Sequence, residues 1–193
     1  MTTTTFTSIE DMYIRGLKAL ANKTLKTDVF YYEIVDELIY LTNGKVAVSL
    51  NKDLYASLIN KLPKTYYNFY AQAKNTDHLI IDVLNKVVED KKSFAHFTSF
   101  LHEHKPWYGD NAVYRVMTVK RDDTLDYVYI DDDYKYIMDC FMQESNYVII
   151  GNKECSRCIY ETINSLGCMG VLMPINTSSE EIKNTILKDF KLD

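Results

Sequence analysis

An α+β fold follows from three features of the sequence. Apolar residues recur at helical spacing through most of residues 1–105, a Pro- and Gly-containing stretch, "KPWYGDN", interrupts that pattern, and period-two alternation appears beyond it. The expected organisation is a helical region over residues 1–105 packed on a small mixed sheet with helices over residues 106–193. The two should form one cooperative unit, because helices this short need tertiary packing to be stable.

The elements are justified in chain order. In "SIEDMYIRGLKALANK" Ser8 can cap a helix with Asp11 three residues on, while Ile9, Met12, Tyr13, Leu17 and Leu20 share one face. "TDVFYYEIVDELIYL" suggests a second helix through Phe30, Ile34, Leu38 and Leu41, stopped by Asn43-Gly44. "KVAVSL" reads as a short strand, and Asn51 as the cap of a helix running through Leu58 and ending near Leu62-Pro63. Thr65, Thr76 and Ser93 start three further helices, of which "DHLIIDVLNKVV" has the clearest register.

Beyond the interruption, "AVYRVMTV" and "DYVYI" are expected to be strands joined by a turn at Arg121-Asp122-Asp123. Residues 132–143 then read as helix, "YVIIG" as strand, 155–166 as helix stopped by Gly167, "GVLMPI" as strand and 178–190 as a final helix. The C-terminal half is thus ββαβαβα.

Composition limits the function. With 47% hydrophobic and 25% charged residues the 193-residue chain has the make-up of an ordinary globular protein. A net charge of -5, with only Arg15, Arg115, Arg121 and Arg157 as arginines, argues against a nucleic-acid binder, which needs a basic face. No nucleic acid and no membrane are expected as partners. The start, "MTTTTFTSIEDM", has neither the basic residues nor the apolar run of a secretory signal, and no run reaches the ~18 apolar residues of a membrane span. A cytoplasmic protein is the expectation. Abundant Lys, Asn, Ile and Tyr beside 6 Gly and 3 Pro match AT-rich coding, as in many phages, other viruses and low-GC bacteria. The 16 tyrosines also supply rings with a polar tip that suit protein interfaces.

The one stretch close to a chemical signature is "YVIIGNKECSRCIYETINSLGC". A strand delivering Cys-x-x-Cys onto the first turn of a helix would suit thiol chemistry, because unpaired amides and the helix dipole stabilise a thiolate. Cys155 would be the nucleophile, Cys158 the resolving thiol, and Arg157 would add positive charge. Two other readings compete. Cys140, Cys155, Cys158 and Cys168 could together hold a structural zinc, or the thiols could serve as small apolar side chains, the reading that ranks first.

The order "YVIIGNKE", "CSRC", "IYETINSLG", "GVLMPI" resembles the strand, Cys-x-x-Cys, helix and strand of the glutaredoxin and thioredoxin superfamily, over residues 146–190. "SSEEIKNTILKDF" stands where that superfamily's next helix would stand. The resemblance implies a thiol-disulfide oxidoreductase using Cys155 and Cys158.

Two further groupings invite function and have plainer explanations. Tyr-Ile-Asp-Asp within "DYVYIDDDYKY" looks like the metal-binding turn of reverse-transcriptase palms, yet Asp131, Asp132 and Asp133 also suit the N-terminus of the helix that follows. "AHFTSFLHEHKPW" offers His96, His102 and His104, with Glu103 between the last two, which a helix would splay by about 200°. A helix end with solvated histidines is the expectation there. No Gly-rich phosphate loop and no nucleophile elbow occur. On this basis a non-catalytic interaction or assembly protein, phage- or virus-encoded, with other proteins or further copies of itself as partners, ranks ahead of a thiol-disulfide oxidoreductase and of a small zinc-stabilised module.

Overall fold

The structure, a computed structural model, describes residues 8–25, 30–77, 80–82, 85, 100–103, 107–108, 113–121, 124–142, 145–151, 156–162, 169–173, 175, 184 and 188. Its class is α+β. Helix α1 spans Ile9–Thr24, and Ser8 caps it by accepting from the Asp11 amide, as the sequence predicts. Its buried face is Gly16, Leu17, Leu20, Ala21 and Thr24.

The second predicted helix is instead a hairpin of β1 (Tyr31–Val35) and β2 (Leu38–Thr42). An apolar run of this length fits either period, and aromatic and β-branched side chains favour the strand. The chain reverses at Asp36-Glu37, where Asp36 takes a left-handed φ of 54°, tolerable for an Asp and costly for most residues. Strand β3 (Val46–Asn51) completes the meander. Asn43 folds the β2–β3 turn by accepting from the amides of Lys45 and Val46, and Gly44 supplies the positive φ it needs. Residues 1–105 are therefore not a purely helical region.

Helix α2 (Lys52–Asn60) starts where expected, with the Asn51 side chain accepting from Asp53 and Leu54. Helix α3 (Lys64–Ala71) follows Pro63, and β4 (Lys74–Asn75) pairs in parallel with β1. Residues 80–82 and 85 are helical, in line with the predicted "DHLIIDVLNKVV" helix. Ile80 is tied to the sheet face it packs on: the buried Glu33 carboxylate of β1 accepts the Ile80 amide at 2.8 Å and the Thr76 hydroxyl at 3.3 Å. The helix predicted from Ser93 lies outside the described residues.

In the second half come β5 (Phe100–Glu103), β6 (Trp107–Tyr108), β7 (Val113–Arg121) and β8 (Thr124–Asp131), then α4 (Asp132–Phe141). Strands β9 (Ser145–Gly151), β10 (Ser156–Thr162) and β11 (Met169–Leu172) follow. Strand β10 occupies most of the segment predicted as a helix over 155–166. Its residues Arg157, Ile159 and Thr162 pair with β9 at Ile150, Val148 and Ser145, a ladder that outweighs the helical spacing of so short a run. The final helix over 178–190 lies largely outside the described residues, where Asn184 and Lys188 are helical and exposed.

Seven strands form one mixed sheet in the order β4-β1-β2-β3-β11-β10-β9, and β5, β6 and β8 pair with β7 in a second. The pairing of Ala47 with Val171 and Val46 with Leu172 runs across the boundary drawn near residue 105. Just past β11, the Ile175 amide donates to the Tyr129 carbonyl of β8 at 2.7 Å, tying the two sheets together.

One face of the large sheet carries the main core. There Ile39, Leu41, Val46, Val48, Leu50 and Leu172 meet Leu17 and Leu20 of α1, Leu58 of α2, and Ile137, Met138 and Phe141 of α4. The opposite face holds a smaller cluster of Tyr40, Ile80 and Val171. Alternate residues of β2 and β3 thus go to opposite clusters, so both faces of these central strands are covered.

Candidate functional site

Residues 156–158 of the Cys-x-x-Cys segment lie in strand rather than in the first turn of a helix. Arg157 and Cys158 lie in β10, with Cys158 in register between Ile149 of β9 and Leu172 of β11, while Cys155 and Cys168 lie outside the described residues. The helix dipole that was expected to stabilise a thiolate is therefore not supplied by residues 156–162. Cys140 is a buried residue of α4 that packs into the main core, as a small apolar side chain would. Burial pushes its thiol pKa up, and a hydrogen bond with Tyr136 offsets that only in part. Among the described residues no three His, Cys, Asp or Glu side chains gather as a metal site would require.

The three aspartates of "YIDDD" serve the start of α4. Asp131 is its N-cap and accepts the Asp133 amide at 2.9 Å, and Asp132 and Asp133 form the first turn. Each acid has a cation. Lys23 Nζ lies 3.1 Å from Asp131 and 2.8 Å from Asp133, and Arg115 contacts Asp132 at 2.6 Å. The plainer reading of this motif holds. The histidine reading needs correction: His102 lies in β5, opposite Thr118 of β7, rather than at a helix end, and His96 and His104 lie outside the described residues.

What the structure does bring together is a polar seam between the antiparallel helices α1 and α4. Lys23, at the end of α1, reaches the first turn of α4, while Gly16, near the middle of α1, faces Cys140 and Phe141 at the other end. Burial lowers the Lys23 pKa, but the hydrogen bonds it donates to Asp133 and Asp131, with the charges of both, outweigh that and the net shift is upward. The same ammonium sits 5.1 Å from the centre of the Tyr134 ring. Burial raises the Tyr134 phenol pKa, against the opposing effect of the Lys23 charge.

Outside this seam lies a recess of about 290 Å³, lined by Ala19, Asn22 and Lys23 of α1 and by Asp133, Tyr136 and Ile137 of α4. One tyrosine, Tyr136, forms part of its wall, and a second reaches a lining residue. The Tyr66 hydroxyl of α3 donates to Asn22 at 3.2 Å, Tyr67 is exposed beside it in sequence, and Tyr136 is 49% exposed on the recess wall. Sequence reasoning recognised the abundance of tyrosine and missed this recess. The signal available was the exposed i, i+3 row Asp133, Tyr136, Asp139 opposite the apolar stripe of α4.

Lys23, partly buried, is committed to two carboxylates, and Asp132 and Asp139 are paired with Arg115 and Lys135. No helix of the described residues is long and apolar enough to cross a membrane. No family model, curated protein or solved structure matches the chain.

Proposed function

We propose that this protein is a non-catalytic interaction or assembly protein that binds another protein through the outer face of α1 and α4. The observation that carries this reading is Tyr136, a large ring half exposed on the wall of a recess flanked by polar groups. A ring with a hydroxyl tip beside a shallow pocket is the arrangement that buries well at a protein interface, where tyrosine is enriched at the residues that matter most. Paired charges at the rim favour orientation and partner choice over raw affinity. The base composition implied by the sequence is compatible with a phage- or virus-encoded component.

The test uses the intact chain as bait. A wild-type bait should retain a stoichiometric protein, whether another chain or further copies of itself, and Tyr136→Asp should lose it while keeping the wild-type circular dichroism spectrum. Identical retention by both baits would overturn the proposal. The second reading, a thiol-disulfide oxidoreductase, rests on the Cys-x-x-Cys spacing of Cys155 and Cys158. It predicts reductase activity that disappears in Cys155→Ser.

A further inference from the structure

We infer that the partner on the α1–α4 face is a second copy of this chain, related by a two-fold axis that runs along the groove between the two helices. This rests on the binding role proposed for that face and names its occupant.

The argument comes from the charge on the two exposed rows. On α1 the outward positions after the first turn are Arg15, Lys18 and Asn22, with Arg15 and Asn22 exposed. On α4 they are Asp133, Tyr136 and Asp139, all exposed. One helix therefore presents basic and neutral groups where its neighbour presents acids, which are bridged within the chain, Asp133 by Lys23 and Asp139 by Lys135 at 3.0 Å, yet stay 70% and 52% exposed at the side chain and open to a further cation. Because the helices are antiparallel, with Gly16 beside Cys140 and Phe141 and Lys23 beside Asp133, Arg15 stands at nearly the same level along the groove as Asp139. The field of Arg15 on Tyr136 and Cys140 agrees with that level.

A two-fold axis along the groove leaves the level unchanged and exchanges the helices. It sets α1 of one copy over α4 of the other. Arg15 then meets Asp139 of the second copy, Lys18 approaches its Tyr136, and Asn22 faces its Asp133. The face is self-complementary, as an isologous interface must be. An axis across the groove would set α1 on α1 and bring Arg15 and Lys18 of the two copies together, which like-charge repulsion disfavours. The recess beside Asn22 and Asp133 lies where the second copy's Tyr136 can enter, so the same ring that lines one recess can fill the other.

Sedimentation equilibrium of the intact protein and of two charge reversals tests this directly. The wild type should show a monomer–dimer equilibrium. Arg15→Glu and Asp139→Arg should each weaken it by about tenfold or more, since each homodimer then carries two like-charge contacts. An equimolar mixture of the two variants should recover dimer, because both contacts become opposite in sign again. Recovery on mixing cannot come from a repair within one chain. A wild type that stays monomeric, or variants that do not recover on mixing, would overturn the inference. If the wild type is monomeric while the bait still holds a Tyr136-dependent protein, only the identity of the partner is wrong; if neither is seen, the binding role falls with it.

Discussion

Gly16 sits where α1 comes closest to α4, and its missing side chain is what permits the approach. A Cβ there would lie 2.7 Å from Phe141 Cε2 and 2.8 Å from Cys140 Cβ, inside any real contact, and the obstructing atoms belong to a packed ring and a main-chain-anchored carbon. Gly16→Ala should therefore destabilise the protein by about 1–3 kcal/mol, read as a lower urea midpoint with an unchanged slope. Asp36 makes the opposite point about a turn. Its left-handed φ should make Asp36→Val cost about 1 kcal/mol or more, whereas Asp36→Gly should fold at least as well, both measured by the same urea titration. At this scale the sequence was partly legible. Ser8, Asn51 and the "DDD" run announce helix starts because their short polar side chains satisfy free amides within three residues, a local rule. Lys23 with Asp131 and Glu33 with Ile80 were not legible, since each joins residues far apart in the chain, and nothing local marks which distant group will complete them.

Among the elements, the helices α1, α2 and α4 and the hairpin β7–β8 match the sequence patterns, each having both periodicity and a cap or turn. Two elements went the other way. Residues 31–42 and 156–162 are short segments predicted as helix from the sequence, and in both cases strand neighbours are available on either side. Tertiary pairing decides such runs, and a single sequence does not display it. For the Cys-x-x-Cys pair this changes the expected chemistry, because a mid-strand Cys158 lacks the dipole that a helix start would lend. Replacing both Cys155 and Cys158 by Ser should accordingly leave assembly unchanged, measured as the retained stoichiometric protein in the bait experiment. Loss of assembly in a folded double variant would return those thiols to the centre of the account.

For the molecule as a whole, stability is tied to a buried aromatic cluster under α1. Tyr70 packs edge-on to Phe30, Phe69 and Tyr55 and donates its hydroxyl to the Leu17 carbonyl at 2.6 Å. Burial pushes the phenol pKa of both Tyr55 and Tyr70 well above the ordinary value of 10, with neighbouring Tyr32 and Tyr55 adding to the respective shifts. The folded state therefore holds these protons after the unfolded chain has released them. Their contribution is complete below about pH 10 and is lost as pH rises from there, at about 1.4 kcal/mol per pH unit for each ring. Urea titrations between pH 9 and 11.5 should show that fall beginning near pH 10, and Tyr70→Phe should remove one ring's share of the slope. The same α1 that covers this cluster presents Arg15, Lys18 and Asn22 outward, so the element that anchors the core also offers half of the proposed contact face.

The most direct test of that face is hydroxyl-radical footprinting of the tyrosines, comparing the chain recovered in its native assemblies with the same chain isolated and dilute. Tyr136 should be protected several-fold in the assembly, while Tyr108, which is 76% exposed on β6 and does not line the recess, should react equally in both. Equal reactivity of Tyr136 in the two states would contradict the assignment of α1 and α4 as the binding surface.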